Sequence, residues 1–221
     1  MSATFVFPAL QRTLSAVYRF HDAFFFPIDD TTPPITSPLQ VSIPSLRWSA
    51  NRSEEDFTYR FSALTLAQPA PGGVNLAVQV TALAGDYTSF EPIELTLPLP
   101  LSVPPQRADF LIPTPLWPTA AVRPGDGETA VRGQIQSAGA LPVSGLNVEM
   151  WPGPSPTPPP GTPFTVSDAV GQFVYRFPRL KGPAGSVQFF NISLNSGAIA
   201  VTPASLPVVL GVTQTILFQR M

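Results

Sequence analysis

Residues 164–180 read FTVSDAVGQFVYRFPRL, a pattern of strand, tight turn and second strand. Asp168 begins a four-residue turn and Gly171 ends it, which are the residue preferences of a type I turn. Three aromatic residues then alternate with other residues along the second strand: Phe173, Tyr175 and Phe177. Because the side chains of a strand alternate between its two faces, we expect the three rings on one face.

The same strand pattern occurs once more upstream, at residues 57–64, which read FTYRFSAL. Phe57 aligns with Phe173, 116 positions later, and Tyr59 aligns with Tyr175. This interval is about half of the 221 residues. The repeat therefore predicts two related β domains in tandem.

Proline is abundant between the apolar segments, with 29 prolines and 15 glycines in the chain. This composition is typical of short strands joined by turns, and the prolines exclude most helical windows. We therefore expect an all-β chain with a β-sandwich over residues 1–100, a Pro-rich linker over 101–127 and a second β-sandwich over 128–221. Residues 1–12 are expected to form an arm of the first domain, either an edge strand or a contact with a neighbouring molecule.

Charged residues make up only 12% of the chain, and the net charge is −2. No basic face is evident, so nucleic-acid binding is not expected. The positive charge is almost wholly arginine, with Lys181 the only lysine. Arginine is enriched at protein interfaces, but high-GC codon usage produces the same bias, and both explanations stay open.

The chain contains no cysteine, which excludes disulfides, thiolate metal sites and cysteine nucleophiles. Residues 1–8, MSATFVFP, lack the basic and apolar regions of a secretory signal peptide. No apolar run approaches the roughly 18 residues needed to span a bilayer. We therefore expect a protein that is assembled in the cytoplasm without a signal peptide and has no membrane span.

The second half of the sequence carries a set of motifs whose turn residues and strand faces agree with one another. They are VRGQI at 131–135, LPVSGLNV at 141–148, TVSDAVGQFV at 165–174 and FPRL at 177–180. Over about residues 127–221, this set resembles the carboxypeptidase regulatory-like, or transthyretin-like, domain family. The resemblance implies a seven- or eight-stranded β-sandwich that serves as an accessory or assembly module without catalytic residues. The expected fold class is therefore all-β, with two tandem transthyretin-like or Ig-like β-sandwich domains joined by the Pro-rich linker.

A second resemblance rests on YRFHDAF at 18–24, SPLQVSIP at 37–44 and VRG at 131–133. Together with the Pro-rich linker, these motifs are similar to two-domain proteins encoded with phage-tail-like contractile injection systems. The resemblance implies a subunit that binds other protein subunits and becomes part of a released particle.

The only pair that suggests acid–base catalysis is His21 with Asp22, and His21 is the sole histidine. Neighbouring residues of a strand point to opposite faces, so a structural role is favoured over catalysis. Carboxylates cluster in three predicted turns, at 29–30, 54–56 and 126–128, but none has the spacing of an EF-hand calcium loop. No Gly-x-Ser-x-Gly motif is present. We therefore expect no catalytic residue, no metal site and no cofactor.

Partner contacts are expected from six aromatic residues in the arm, in the linker or near loops: Phe5, Phe7, Trp48, Phe110, Trp117 and Trp151. Exposed tryptophans serve protein interfaces as readily as glycan sites, so both ligands stay open. The leading hypothesis is a non-enzymatic structural subunit that binds neighbouring proteins in a larger complex, such as a contractile phage-tail-like particle. The alternative is a carbohydrate- or surface-binding adhesion module.

Overall fold

The computed structural model describes these parts of the chain: residues 14–25, 28, 31–62, 74–89, 92–97, 110–195, 199, 201–202 and 204–220. Regular structure in these residues consists of strands, apart from short 3₁₀ turns such as Ala23–Phe25 and Pro44–Leu46. The predicted all-β fold class is therefore confirmed.

The described residues form seventeen strands, numbered here in chain order. The strands of the first half are β1 (Leu14–Asp22), β2 (Leu39–Ile43), β3 (Trp48–Ser49), β4 (Asn51–Arg52), β5 (Thr58–Ser62), β6 (Val74–Ala82), β7 (Tyr87–Thr88), β8 (Ile93–Leu97) and β9 (Leu111–Pro118). The strands of the second half are β10 (Ala130–Gln136), β11 (Asn147–Pro152), β12 (Phe164–Val166), β13 (Gln172–Arg176), β14 (Val187–Leu194), β15 (Val201–Thr202), β16 (Ser205–Val209) and β17 (Thr213–Arg220).

The strands are arranged in four sheets whose order repeats. In the first half the orders are β4-β5-β1-β9-β7 and β3-β2-β6-β8, and in the second half they are β13-β10-β17-β15 and β12-β11-β14-β16. The succession β5-β1-β9 recurs as β13-β10-β17, and β3-β2-β6-β8 recurs as β12-β11-β14-β16. The strands that contain Tyr59 and Tyr175 therefore occupy equivalent places, which agrees with the tandem arrangement that the sequence repeat predicts.

Grouped by their contacts, the described residues divide into two compact units. The first unit comprises the described residues within Met1–Arg19, Val41–Gln79 and Pro92–Thr114. The second unit comprises those within Phe20–Gln40, Val80–Glu91 and Pro115–Met221. Neither unit is continuous in sequence. The divisions fall within strands, for example within β1 and within β9. The domain boundaries near residues 100 and 128 stay a prediction.

In the first unit, aromatic side chains connect strands of two sheets. The ring of Tyr18, on β1, packs edge-on against Phe61, on β5, with the ring centroids 6.2 Å apart. The Tyr18 hydroxyl donates a hydrogen bond to the backbone oxygen of Glu94, on β8 of the other sheet, at 3.3 Å. β1 and β5 are antiparallel, and their register places Tyr18 opposite Tyr59. Both tyrosines are buried, so the core of this unit lies between the two sheets.

In the second unit, two four-stranded sheets enclose one hydrophobic core, so this part is a β-sandwich. The core takes residues from both sheets, among them Val131, Ile135, Phe218, Val148, Met150, Ile192 and Val208. Phe173, Tyr175 and Phe177 all belong to this core, which confirms that the three rings share a face. The Tyr175 hydroxyl lies 2.9 Å from the backbone oxygen of Met150 on the opposite sheet.

The predicted turn between β12 and β13 is confirmed. The amide of Gly171 donates to the backbone oxygen of Asp168 at 2.9 Å. The Asp168 carboxylate accepts hydrogen bonds from the amides of Val170 and Gln172 at 2.9 and 2.8 Å. Gly171 has a φ of +73°, and a Cβ there would lie 2.5 Å from the backbone oxygen of Ile135. The turn therefore requires glycine at this position.

Strand β9 lies within the segment that the sequence analysis assigns to a linker. Its end pairs with β7, with Tyr87 opposite Pro118 and Thr88 opposite Trp117. The side chains at positions 114, 116 and 118 are buried, whereas those between them are more exposed. This part of the segment is therefore a half-buried strand of a sheet.

Candidate functional site

A buried cluster of polar side chains lies in the second unit. Asp22 ends β1, Tyr87 begins β7, Glu128 precedes β10 and Arg176 ends β13. The Arg176 guanidinium forms salt bridges with both carboxylates, and the Asp22, Arg176 and Glu128 side chains are only 5%, 15% and 17% exposed. The Tyr87 hydroxyl donates to Asp22 Oδ2 at 3.2 Å, and the Phe24 amide donates to Asp22 Oδ1 at 2.9 Å.

Burial and pairing together set the protonation of this cluster. Burial raises the pKa of Asp22, and this effect outweighs the lowering of the pKa by Arg176 and by the Phe24 amide. Burial lowers the pKa of Arg176, but Glu128 and Asp22 hold that pKa above its ordinary value. Burial and the Asp22 carboxylate raise the pKa of Tyr87. Arg176 therefore stays charged and Tyr87 stays neutral at physiological pH, and the cluster fits a structural tie between distant parts of the chain.

A small cavity of about 200 Å³ lies beside this cluster. It is lined by Asp22, Tyr87, Arg176 and residues 33–37. The Ser37 hydroxyl donates to Asp86 Oδ2 at 2.6 Å, whereas Asp86 Oδ1 is buried without a hydrogen-bond partner among the described residues. Small-molecule sites usually have volumes of roughly 300–1,000 Å³. The cavity is therefore suited to a few water molecules rather than to a substrate.

His21 and Asp22, the pair considered for catalysis, both make contacts that hold the backbone in place. His21 is only 2% exposed. Its Nδ1 lies 3.2 Å from the backbone oxygen of Pro33. The Asp22 carboxylate is directed to Arg176 and to the Phe24 amide. These contacts are those of a structural role, which the sequence analysis favours for this pair.

Four of the six aromatic residues predicted to bind a partner are either outside the described residues or in the first unit. Phe5 and Phe7 lie outside the described residues. Trp48, on β3, and Phe110, just before β9, are half-buried in the first unit. Partner binding by these four residues stays a prediction.

The other two predicted contact residues, Trp117 and Trp151, belong to the second unit and differ in accessibility. Trp117, on β9, is half-buried, with its ring centroid 5.7 Å from that of Phe164. Trp151, on β11, is only 3% exposed, and its Nε1 donates to the backbone oxygen of Ser155 at 3.0 Å. The expectation that Trp151 lies at the surface is therefore wrong, because the Pro-rich loop after β11 returns to the indole and accepts its hydrogen bond.

An exposed apolar patch on the outer face of β14 and β16, called here the β14–β16 patch, is absent from the sequence-based candidates. Phe189 and Val187 are 68% and 51% exposed. The antiparallel register places Phe189 opposite Pro207 and Val187 opposite Val209. The sequence contained a signal for this patch. Adjacent side chains of a strand point to opposite faces, so Phe189 and its neighbour Phe190 cannot both face the core.

A second cavity of about 420 Å³ lies along the sheet β13-β10-β17-β15. Gln134 and Gln172 line this cavity and lie opposite each other in the antiparallel register. Thr215 and the exposed Leu217 extend the lining along β17. Arg132 also contributes, with its guanidinium donating to the backbone oxygen of Ala120 at 3.2 Å. The lining thus combines two side-chain amides and one hydroxyl with the guanidinium of Arg132 and with apolar side chains.

Among the residues that the structure describes, no group of three or more histidine, aspartate or glutamate side chains is placed to hold a metal ion. No helix there is long and apolar enough to cross a bilayer.

No protein-family model matches this sequence, and no curated protein is similar enough in sequence to count as a match. Similar solved structures include the shaft pilin SpaA from Lactobacillus rhamnosus GG, which is 12% identical over 95% of this chain and 98% of that chain, with a TM-score of 0.29. GBS52, the minor pilin of Streptococcus agalactiae, is 9% identical over 94% of this chain and 97% of that chain, with a TM-score of 0.27. Likenesses of this size carry no argument about function.

Proposed function

We propose that the chain is a non-enzymatic structural subunit that binds neighbouring proteins in a larger assembly. The observation that carries this proposal is the β14–β16 patch, where Phe189 and Val187 expose large apolar side chains side by side. Contiguous apolar surface is unfavourable in water by about 25 cal/mol per Å², and it marks contact sites when it is retained on a folded domain. An aromatic residue within such a patch is enriched at protein interfaces.

The low charge of the chain supports the same proposal. Only 12% of the residues are charged, and β14 and β16, which carry the patch, contain none. The cores of protein interfaces are depleted of charged residues, because each charge would have to be desolvated on binding. Three charged groups that the second unit largely buries, Asp22, Glu128 and Arg176, are paired with one another. This arrangement suits a rigid scaffold.

Within this class, we propose a subunit of a contractile phage-tail-like particle, built from two transthyretin-like domains over residues 1–100 and 128–221. Support comes from the motifs at 18–24, 37–44 and 131–133 and from the strand order that recurs between the two halves. Such a subunit would be assembled in the cytoplasm. The predicted contacts Phe5, Phe7, Trp48, Phe110 and Trp117 are proposed as further anchors to other subunits.

A second candidate function, binding of a carbohydrate or surface ligand, is favoured by the amide-lined cavity. Gln172 and Thr215 offer donors and acceptors that match sugar hydroxyls, whereas the Gln134 amide donates to the Val170 oxygen and accepts from Gln136. The cavity volume of about 420 Å³ lies within the usual range for small ligands.

Site-specific photo-crosslinking distinguishes the two functions. A photoreactive amino acid is placed at Phe189 and, as a matched control, at Leu83, which is 67% exposed but lies outside the patch. In cells that produce the assembly, position 189 should form one defined protein adduct that position 83 does not form. If glycans change the tryptophan fluorescence and position 189 forms no specific adduct, carbohydrate binding is supported and the assembly function is contradicted.

A further inference from the structure

Two arginines lie on the outer face of the sheet β13-β10-β17-β15, and among the described residues only one of them has an anionic partner. Val131 and Tyr175 face the core, so Arg132 and Arg176, which follow them in sequence, face outward. The Arg176 guanidinium forms salt bridges with two carboxylates. The Arg132 guanidinium is half-buried and forms no salt bridge within the described part of the chain. The positive charge of Arg132 therefore has no carboxylate in contact with it there.

Backbone carbonyl groups hold the Arg132 guanidinium in place. Its Nη1 donates to the backbone oxygen of Ala120 at 3.2 Å, and its Nη2 donates to the backbone oxygen of Val122. The loop that carries these oxygens is itself fixed, because the Thr119 hydroxyl donates to the backbone oxygen of Gly85 at 2.6 Å. A guanidinium has more N–H donors than these two bonds use. The remaining donors are therefore held in position, and little conformational freedom is lost when they bind a ligand.

Uncharged groups surround Arg132 in the cavity of about 420 Å³. The parallel register of β10 and β17 places Thr215 opposite Arg132 and Leu217 opposite Gln134. The antiparallel register of β10 and β13 places Gln172 opposite Gln134. The side chains of Gln172 and Thr215 are exposed and form no hydrogen bond with other described residues, and Leu217 is 51% exposed. One charged donor is thus next to neutral donors and acceptors and an apolar side chain.

We propose that this cavity binds an acidic sugar, whose carboxylate pairs with Arg132. The proposal rests on the carbohydrate-binding candidate function and names its ligand. A guanidinium and a carboxylate form charge-assisted hydrogen bonds, which are stronger than neutral ones. Gln172 and Thr215 then bond to hydroxyl groups of the sugar, and Leu217 contacts the apolar face of its ring. An acidic side chain of a protein would satisfy Arg132 but not these neutral groups, so a ligand rich in hydroxyls is favoured.

The test is a titration of the isotopically labelled full chain, followed by NMR, with two matched pairs of sugars. The acids are D-glucuronate and D-galacturonate, and their neutral partners are D-glucose and D-galactose. We expect at least one acid to shift the side-chain amide resonances of Gln172 and to bind about tenfold more tightly than its neutral partner. The affinity for the acid should fall as the ionic strength rises, because salt screens the attraction between the charges.

Substitutions identify the groups that bind. Arg132→Gln should weaken binding of the acid about tenfold and leave the affinity for the neutral sugar nearly unchanged. Arg123→Gln is the matched control, because Arg123 is exposed, lies outside the cavity lining and carries the same charge, and it should change neither affinity. If Arg132→Gln does not fold, Gln172→Ala, at an exposed side chain, serves instead and should weaken binding of the acid about threefold.

Each contrary result has its own meaning. Equal affinities for the acids and their neutral partners overturn the proposal and leave carbohydrate binding standing, whereas no binding of any of the four sugars overturns both. An acid that binds the Arg132→Gln variant, or in its place the Gln172→Ala variant, as tightly as the wild type also overturns the proposal. Binding of a tri-glutamate peptide without binding of either acid overturns it in favour of a protein ligand. The β14–β16 patch lies on the other sheet, so the assembly function is tested separately.

Discussion

At the scale of single residues, Gly133 shows how the core of the second unit depends on the absence of a side chain. Gly133, on β10, lies opposite Phe173 in the antiparallel register. A Cβ at this position would lie 2.1 Å from the Cζ of Phe173 and 2.9 Å from a ring carbon of Phe218. Both rings are almost fully buried, so neither has free space to move into.

We predict that Gly133→Ala lowers the free energy of unfolding by about 1–3 kcal/mol, because the added methyl group forces the two rings apart. Urea unfolding, followed by tryptophan fluorescence, measures this difference. Gly139→Ala is the control, since the nearest atom to its Cβ would be Ser137 Oγ at 3.8 Å, and it should change the stability by less than about 0.5 kcal/mol. Equal stability of the two variants would show that Phe173 does not pack against Gly133.

Asp56 is a second position where one side chain determines local structure, in the turn before β5. Its carboxylate accepts hydrogen bonds from Thr58 Oγ1 at 2.7 Å and from Arg60 Nη2 at 2.8 Å. Burial raises the pKa of Asp56, but the hydrogen bonds from Ser53 and Thr58 and the charge of Arg60 lower it by more, so the pKa lies well below its ordinary value. A carboxyl group of this kind stabilises the fold above the ordinary pKa of about 3.9 and loses that contribution as the pH falls.

We predict that Asp56→Asn lowers the free energy of unfolding by about 1–2 kcal/mol at pH 7. The difference from the wild type should shrink steadily below about pH 4, because the wild-type carboxylate then becomes protonated more readily in the unfolded chain than in the folded one. Denaturant unfolding at a series of pH values measures this. Glu54→Gln, at a side chain that is 73% exposed, should show little dependence on pH, and a pH-independent difference for Asp56→Asn would contradict the assignment.

At the scale of elements, the sequence predicted strands well where the turn chemistry and the alternation of side chains agreed. The hairpin of β12 and β13 has both signals, with Asp168 and Gly171 in the turn and alternating aromatic residues after it. β9 has the alternation, since Thr114 and Leu116 are buried, but its sequence LIPTPLWP contains three prolines. Proline lacks an N–H and counts against a strand in sequence analysis, so the sequence of this segment favours a linker.

Trp151 is buried although the sequence favours a surface position, and the explanation again lies in a Pro-rich segment. A tryptophan next to a Pro-rich loop is expected at the surface, because such loops are mostly exposed. In the structure the loop returns to the sheet, where the side chain of Asn191, on β14 opposite Trp151, donates to the backbone oxygen of Gly153 at 2.7 Å. The patch formed by Val187 and Phe189 depends on which of two adjacent phenylalanines faces outward, and the sequence of β14 alone does not decide this.

At the scale of the whole molecule, contacts between residues distant in sequence were beyond the reach of sequence analysis. Asp22 and Arg176 are 154 positions apart, and no motif links them. The Asp22–Arg176–Glu128 cluster nevertheless connects the ends of β1 and β13 with the start of β10 in the second unit. Removal of one partner from a buried ion pair leaves an uncompensated charge, whereas removal of both partners costs much less.

We predict that Arg176→Met destabilises the protein by about 3–5 kcal/mol at neutral pH, because Asp22 and Glu128 are left buried without a cation. The triple variant Arg176→Met, Asp22→Asn, Glu128→Gln should recover a large part of this loss. Thermal and urea unfolding of the two variants measure the difference. A triple variant that is no more stable than Arg176→Met would show that the ion pairs are not what the arginine contributes.

The mass of the native complex that contains the chain shows whether the chain is a structural subunit of a larger assembly. Cells that produce the protein are lysed gently, and the chain is followed by sedimentation and by mass measurement of the fractions. We predict that the chain sediments with other proteins in a particle many times heavier than its own 23.6 kDa. A monodisperse 23.6 kDa monomer with no associated protein, under conditions that keep other assemblies intact, would contradict it.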